Sequence, residues 1–84
     1  MKDKIAQFII EHLANETLAT IDGNEDLLGN GIIDSLGMMQ LINYIENEAG
    51  IQIPPQDMVL ENFMTIENMM AYITSSKEHK TRPQ

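Results

Sequence analysis

The apolar residues of this chain recur at the spacing of an α-helix in three separate stretches. The three stripes consist of Ile5, Phe8, Ile9 and Leu13; of Met38, Leu41, Ile42, Ile45 and Ala49; and of Ile66, Met69, Met70 and Ile73. Nowhere do apolar and polar residues alternate over the length of a strand. The sequence therefore predicts an all-α fold.

Local signals give the expected ends of these helices. The first helix is predicted over residues 5–18. The second begins at Asp34 or Ser35, since either side chain can accept from the free N–H groups of a first turn. It ends at Gly50, in the position where glycine usually follows a helix. Thr65 is expected to cap the last helix.

Two connections separate the helices. Residues 19–34 contain three of the five glycines, yet apolar pairs interrupt them at residues 27–28 and 32–33, which predicts a loop packed onto the helices. After Gly50, the Pro54-Pro55 pair favours an extended connector. Residues 56–62 can form one or two turns, and Met58, Val59 and Phe63 are expected to face inward.

These elements predict a four-helix bundle with three main helices, one short helix and a long structured first loop. The expected domain covers residues 1–75, and residues 76–84 are expected to form a polar, disordered tail. Five residues are predicted for the core, namely Leu41, Ile45, Phe63, Ile66 and Met69. They could also border a cleft for an acyl chain, or simply pack the bundle.

Charge is distributed unevenly. The chain has a formal net charge of −8, and no Lys or Arg lies between residues 5 and 76. Such a surface repels phosphate backbones, so no nucleic-acid partner is expected. It attracts basic protein surfaces, although an acidic surface can also serve solubility alone.

Several other classes of protein do not fit the composition. The chain of 84 residues has no cysteine, which excludes a disulfide framework and a thiolate metal site. It has no run of 18 apolar residues and no signal-peptide pattern, so we expect no membrane insertion and a cytoplasmic monomer.

Two familiar site patterns are incomplete. Asp22, Asn24 and Asp26 match the start of a calcium-binding loop, but Leu27 replaces its glycine and Ile33 its bidentate Glu. No metal site is therefore expected, and too few ligands remain for zinc.

A hydrolase is also not indicated. Ser35-Leu36-Gly37 is half of a nucleophile-elbow motif, but Ile33 stands where its first glycine belongs and no strand precedes it. The two histidines, His12 and His79, lie on the first helix and in the tail. We therefore predict no catalytic residue in this chain.

The remaining candidate for a functional site is the tripeptide Asp34-Ser35-Leu36, at the start of the second helix. Asp and Ser are favoured helix caps, and a cap is one complete explanation of this tripeptide. Its context offers another explanation, because Ser35 is the only serine before residue 75. It closes a long Gly-bearing loop and precedes an amphipathic helix and the run Ile51-Gln52-Ile53-Pro54.

On these residues the chain closely resembles the acyl carrier protein family, including stand-alone peptidyl and aminoacyl carriers. The resemblance covers residues 5–75. It implies that Ser35 carries covalent 4′-phosphopantetheine from coenzyme A, flanked by Asp34 and Leu36. The arm ends in a thiol, which holds an acyl or aminoacyl group as a thioester for fatty acid, polyketide, nonribosomal peptide or related biosynthesis. The run from Gly31 to Gly37 is more similar to D-alanyl or other specialised stand-alone carriers.

The resemblance also implies partners. These are a phosphopantetheinyl transferase, an acyl- or aminoacyl-loading ligase, and downstream transferases or synthases with basic docking surfaces. The implied docking residues lie on the second helix, namely Met39, Gln40, Asn43 and Glu46, with Glu48 as a further acid. The helix departs from fatty-acid carriers, since Gly37 stands where Asp is common.

One rival from another class stays open. A helical protein-interaction adaptor without a prosthetic group would use Asp34 and Ser35 only as caps. Replacement of Ser35 by alanine separates the two, because loss of function without loss of fold favours the carrier.

Overall fold

Helices make up most of residues 1–80, the part of the chain that the computed structural model describes. Helix α1 covers Lys2–Phe8 and continues as a π-helix over Ile9–Leu13; α2 covers Ser35–Ala49, α3 Leu60–Phe63 and α4 Ile66–Lys80, with a 3₁₀ turn at Pro55–Asp57. Residues 1–80 contain no strand. The predicted all-α class and four-helix architecture are confirmed.

The first helix ends earlier than predicted. It stops at Leu13 rather than at residue 18, and Ala14 is extended with ψ of 136°. Asn15 then donates from its backbone N–H to the oxygen of Ile32 at 2.9 Å and from its side chain to the oxygen of Gly31 at 3.1 Å. Asparagine competes well for such contacts outside a helix, so tertiary bonding redirects the chain at this point.

The long first loop is held down by buried side chains and backbone hydrogen bonds. Leu27, Ile32 and Ile33 are buried. The N–H of Leu27 donates to the oxygen of Met64 at 3.0 Å, and the N–H of Glu67 donates to the oxygen of Gly23 at 2.9 Å. The predicted structured loop is therefore tied to α4 and to the residues that precede it.

Helix α2 has the ends that its sequence predicted. It begins at Ser35, and Gly50 follows its last residue in the left-handed conformation, with φ of 67°. The N–H of Ile51 reaches back to the oxygen of Glu46 at 3.2 Å, as in a Schellman motif. A side chain at residue 50 would strain this turn, which explains the glycine.

The connector after α2 runs along the core, with Ile51 and Ile53 buried. The one or two turns predicted over residues 56–62 are observed as two short pieces, Pro55–Asp57 and Leu60–Phe63. Phe63 faces inward as predicted, and Met58 is half-buried. The prediction for Val59 was wrong, because its side chain is exposed.

The core lies between the helices. α1 packs against α2 and α4, and α3 packs against α4. All five predicted core residues, Leu41, Ile45, Phe63, Ile66 and Met69, are at most 2% exposed. The described residues include no buried polar or charged side chain. Phe63 also lines a groove beside Ser35, whereas Leu41, Ile45, Ile66 and Met69 are not among the lining residues of the two concavities described there.

Helix α4 starts at the predicted place, because the Thr65 hydroxyl accepts from the N–H of Asn68 at 3.0 Å. It runs to Lys80, so the predicted boundary between domain and tail at residue 75 falls inside this helix and stays a prediction. Ser75, at the end of the expected domain, and Ser76, expected in the tail, are both helical. Residues 81–84 of the predicted tail lie outside the described residues.

Tyr72 links α4 to the connector and gives the fold a dependence on alkaline pH. Its hydroxyl donates to the carboxylate of Asp57 at 2.8 Å. Burial, and then this hydrogen bond, raise the pKa of Tyr72 above its ordinary value. The neutral phenol therefore stabilises the fold below the ordinary tyrosine pKa of about 10, and this contribution is lost as pH rises through the raised pKa.

We expect Tyr72→Phe to lower the free energy of unfolding by about 1 kcal/mol near neutral pH. The variant should also lose less stability than the native chain between about pH 8 and about pH 11. Urea unfolding followed by circular dichroism measures both values. Tyr44→Phe, which removes the hydroxyl from a ring stacked on Phe8, is the matched control. Equal alkaline losses in the native chain and Tyr72→Phe would contradict this account.

Candidate functional site

The start of α2 presents Ser35 to solvent. Asp34 has an extended backbone, and its Oδ1 accepts from the N–H of Gly37 at 2.7 Å. The helix is therefore capped by Asp34. Ser35 is exposed in the first turn of α2, and its hydroxyl takes part in none of the side-chain hydrogen bonds described for residues 1–80. The cap explanation thus accounts for Asp34 and leaves the Ser35 hydroxyl available for chemistry.

This division of roles is measurable in the free energy of unfolding. We expect Asp34→Ala to lower it by about 1 kcal/mol, the usual effect of losing a side-chain cap. Ser35→Ala should change it by less than about 0.5 kcal/mol, because alanine is tolerated at an exposed helical position. Urea denaturation of the two variants checks both values. Equal losses would contradict the assignment of the cap to Asp34.

Ser35 stands at the edge of an apolar groove between α2 and residues 58–63. The groove has a volume of about 220 Å³. Besides Ser35 it is lined by Leu28, Met38, Met39, Ile42, Met58, Val59, Leu60 and Phe63. Methionines at both walls make this lining adaptable, since their side chains fill irregular gaps.

On its other side, Ser35 borders a more open and more polar concavity formed with the first loop. Asn15, Asp26, Gly31 and Asp34 are among its lining residues. Gly31 has φ of 72°, and a β-carbon there would meet no atom within 4 Å. The hydroxyl therefore lies between an apolar and a polar surface, with open space beside the loop.

The lining residues decide what kind of group Ser35 can hold. Neither concavity includes Lys, Arg, His or Cys. A free phosphate would meet the carboxylates of Asp26 and Asp34 and no compensating cation, so the residues do not favour a loosely bound anion. A phosphodiester on the Ser35 oxygen is different, because the covalent bond holds it and the exposed N-terminal turn of α2 favours negative charge. The residues fit a covalent phosphopantetheine group.

The other residues predicted for this site divide into three sets. Leu36 is 70% exposed and Met39 52% exposed, both close to Ser35 on α2. Gln40 and Asn43 are also exposed but border a different concavity, which Phe8, His12 and Tyr44 complete. The structure thus brings Met39 to the groove beside Ser35 and leaves Gln40 and Asn43 outside its lining.

The third set of predicted site residues consists of Glu46 alone. Its Oε2 accepts from the N–H of Ile53 at 2.8 Å, which fastens the connector to α2. Glu48 pairs with Lys4 at 3.2 Å. Both acids of α2 therefore have partners inside the chain, and the predicted docking role of Glu46 stays a prediction.

Sequence reasoning missed two residues of the groove. Val59 and Leu60 line it beside Ser35, and both are exposed. Their position depends on how the short α3 packs across from α2. The run Met58-Val59-Leu60 after a proline pair was the available signal, but apolar residues there were expected to face inward.

The remaining titratable residues have local roles. Oδ1 of Asp22 accepts from the N–H of Asn24, and Oδ1 of Asp26 accepts from the N–H of Gly29, each at 2.8 Å. His12 is exposed and lies against Phe8, with ring centroids 5.1 Å apart.

Among the described residues, no group of three or more His, Cys, Asp or Glu is arranged to hold a metal ion. None of the helices over residues 1–80 is long and apolar enough to cross a membrane.

Comparison with known proteins gives a consistent result. Residues 5–73 match the model of the family described as "Phosphopantetheine attachment site". A probable acyl carrier protein, PigG of Serratia sp. (strain ATCC 39006), is 28% identical over 84% of this chain and 86% of its own length. The acyl carrier protein of Zymomonas mobilis is 31% identical over 93% of this chain and 92% of its own length.

A solved structure extends the similarity to the fold. A chain from the crystal structure described as that of an FAD-dependent dehydrogenase superposes with a TM-score of 0.72 and is 32% identical. The match covers 82% of this chain and 97% of that chain. Since nearly all of that chain matches only part of this one, that chain is the shorter of the two.

Proposed function

The chain belongs to the family of phosphopantetheine-attachment domains, and from this membership we propose that it is a carrier protein whose prosthetic group is attached to Ser35. Its relatives are named acyl carrier proteins, so the proposed cargo is an acyl or aminoacyl group. We propose that this cargo is used in fatty acid, polyketide, nonribosomal peptide or related biosynthesis.

The observation that carries this proposal is the division of roles at the start of α2. Asp34 alone supplies the cap, at 2.7 Å from the N–H of Gly37. Ser35 is left exposed, with space on both sides for a transferase to approach. A helical adaptor without a prosthetic group would not require an acceptor hydroxyl at this position.

The chain itself contributes position rather than catalysis. When attached, the group supplies a thiol, with a pKa of about 8.5 when free, that can hold its cargo as an activated thioester. The described side chains that line the two concavities beside Ser35 include no histidine, and the carboxylates of Asp26 and Asp34 accept from the backbone N–H groups of Gly29 and Gly37. We therefore assign the chemical steps to partner enzymes, while this chain raises the effective concentration of its cargo by tethering.

The proposed partners follow from these steps. A phosphopantetheinyl transferase must act at Ser35, a ligase must load the cargo, and downstream transferases or synthases must receive it. The similarity to a chain from a structure of an FAD-dependent dehydrogenase supports adding a flavin-dependent dehydrogenase to these candidates. We propose a cytoplasmic monomer that binds neither nucleic acid nor membranes, consistent with a net charge of −8.

The test begins with the unmodified chain. It is incubated with coenzyme A and a broad-specificity phosphopantetheinyl transferase, and its intact mass is measured before and after. We expect the addition of one phosphopantetheine per chain, and we expect an acyl group subsequently loaded on it to be released by hydroxylamine, as a thioester is. A folded chain that accepts no group would favour the adaptor alternative.

A further inference from the structure

One asparagine of the first loop differs from all the others in the residue that follows it. The chain has seven asparagines, and only Asn30 is followed by glycine. Of the other six, four lie in helices, namely Asn43, Asn47, Asn62 and Asn68. Asn15 and Asn24 lie outside helices, and each is followed by Glu. Asparagine is chemically labile in proteins. The following residue matters because its backbone nitrogen can attack the side-chain amide, and a side chain on that residue crowds the attack.

The structure leaves Asn30 and Gly31 open to this reaction. Both residues are exposed, in a turn that precedes α2. Gly31 has φ of 72°, and a β-carbon there would meet no atom within 4 Å, so there is room beside the attacking nitrogen. The N–H of Gly31 donates to the oxygen of Leu28 at 3.1 Å, and this bond has to open before the nitrogen can react. Backbone hydrogen bonds of exposed turns open at a low cost in free energy.

From these observations we propose that Asn30 is a site of spontaneous covalent modification, with solvent water as the only co-reactant. The nitrogen of Gly31 forms a bond to Cγ of Asn30, the bond between Cγ and Nδ2 breaks, and ammonia leaves with the proton that Gly31 loses. Water then opens the resulting cyclic imide at either of its carbonyls. Opening at one carbonyl gives aspartate. Opening at the other gives isoaspartate, in which the main chain passes through Cβ and Cγ of residue 30.

Either product places a carboxylate where the structure has an amide. Nδ2 of Asn30 donates to Oε2 of Glu25. A carboxylate at residue 30 has no proton to donate, so the attraction between residues 30 and 25 is replaced by repulsion of like charges. No Lys or Arg lies between residues 5 and 76 to offset this repulsion within the loop. The contact that ties residue 30 to Glu25 is therefore lost on modification.

Isoaspartate has a further effect, because it adds an atom to the main chain directly before Gly31. The oxygen of Gly31 accepts from the Asn15 side chain at 3.1 Å, and the oxygen of Ile32 accepts from the Asn15 N–H at 2.9 Å. These bonds hold the first loop against the end of α1, so modification at Asn30 loosens the segment that leads to Ser35. The inference goes beyond the proposed function and does not depend on it.

The test follows the freshly prepared native chain during incubation at mildly alkaline pH, with cleavage before aspartate and mass spectrometry at intervals. The peptide of residues 26–33 contains no asparagine or glutamine besides Asn30. When isoaspartate forms, we expect this peptide to gain the mass difference between an amide and an acid. When aspartate forms, we expect it to be cut before residue 30 as well. The peptide of residues 22–25, which contains Asn24, should keep its mass.

Two variants and an unfolded sample decide the outcome. Asn30→Gln should abolish the change, because ring closure through the longer side chain is disfavoured, whereas the matched control Asn24→Gln should leave the change at residue 30 as it is in the native chain. A peptide 26–33 that stays intact in the native chain and changes only in urea would show that the fold protects Asn30, and the proposal would be wrong. Equal change at Asn24 and Asn30 would also contradict it.

The consequence for the loop is tested without waiting for the reaction. Asn30→Asp reproduces the aspartate product, and we expect its midpoint of urea unfolding to lie below that of the native chain. Adding Glu25→Gln to this variant should restore the midpoint, since the new amide can donate to the carboxylate at residue 30. A native midpoint in Asn30→Asp would contradict the inferred loss of the contact with Glu25.

Discussion

Replacement of Ser35 by alanine is expected to abolish phosphopantetheine addition completely while leaving the helical fold intact. The reason is chemical, since alanine has no oxygen to which the group can be transferred. The fold should persist because Asp34, not Ser35, caps α2. Intact mass after incubation with coenzyme A and transferase measures the first effect, and circular dichroism with urea denaturation measures the second.

Two further variants make this result specific. Ser75→Ala and Ser76→Ala remove the other serines, which lie in α4, and both should be modified as fully as the native chain. Addition of the group to folded Ser35→Ala would show that another residue is the acceptor. Loss of helical structure in Ser35→Ala would show that the serine has a structural role that this account denies.

Phe63→Ala is expected to have the largest effect on stability, a loss of about 3–5 kcal/mol. The Phe63 side chain is 2% exposed and packs at a tilt against Tyr72, with ring centroids 5.5 Å apart. It also forms part of the lining of the groove beside Ser35. Removal of the ring leaves a cavity that a small domain with a thin core can hardly tolerate. Urea denaturation followed by circular dichroism measures the loss.

The matched control is Leu60→Ala, which lies one turn earlier on α3. Because Leu60 is 55% exposed, its removal should change stability by less than about 0.5 kcal/mol. If Phe63→Ala proves unfolded, Phe63→Leu provides a measurable loss, expected at about 1–2 kcal/mol. A loss below about 0.5 kcal/mol in Phe63→Leu, equal to that of the exposed control, would contradict the assignment of Phe63 to the core.

The parts of the fold that the sequence predicted well are those set by local chemistry. A cap at Asp34 or Ser35, the glycine at residue 50 and the cap at Thr65 were expected because each acts within one turn of a helix, and the structure gives the first cap to Asp34. The residues of the core followed from helical periodicity, because one face of each helix must be buried. The position of Ser35 at the start of α2 was predictable from the capping residues at this point of the chain.

The parts that the sequence did not predict depend on contacts between distant segments. The end of α1 is set by bonds from Asn15 to residues 31 and 32 of the first loop. The exposure of Val59 depends on where α3 lies, and no periodicity is readable in a helix of four residues. From the sequence, Glu46 was interpreted as a free surface acid. The sequence does not reveal its partner, because this partner is the backbone N–H of Ile53 in another segment.

This last difference changes the view of how the molecule is recognised. An acidic composition and a family resemblance together favoured basic docking surfaces on the partners. In the structure, Glu46 and Glu48 of α2 have partners within the chain, and Ser35 lies between an apolar groove and a more polar concavity that includes Asp26 and Asp34. Net charge therefore bears on solubility and the rate of encounter, whereas the local environment of each side chain bears on the contact itself.

The most direct test of the central claim is to locate the added group on the native chain. Cleavage before aspartate releases the peptide from Asp34 to Gln56, in which Ser35 is the only serine or threonine. After incubation with coenzyme A and transferase, we expect this peptide alone to gain one phosphopantetheine. A native chain that stays unmodified, or a group found on the peptide from Asp57 onward, where Ser75 and Ser76 lie, would contradict the assignment of Ser35.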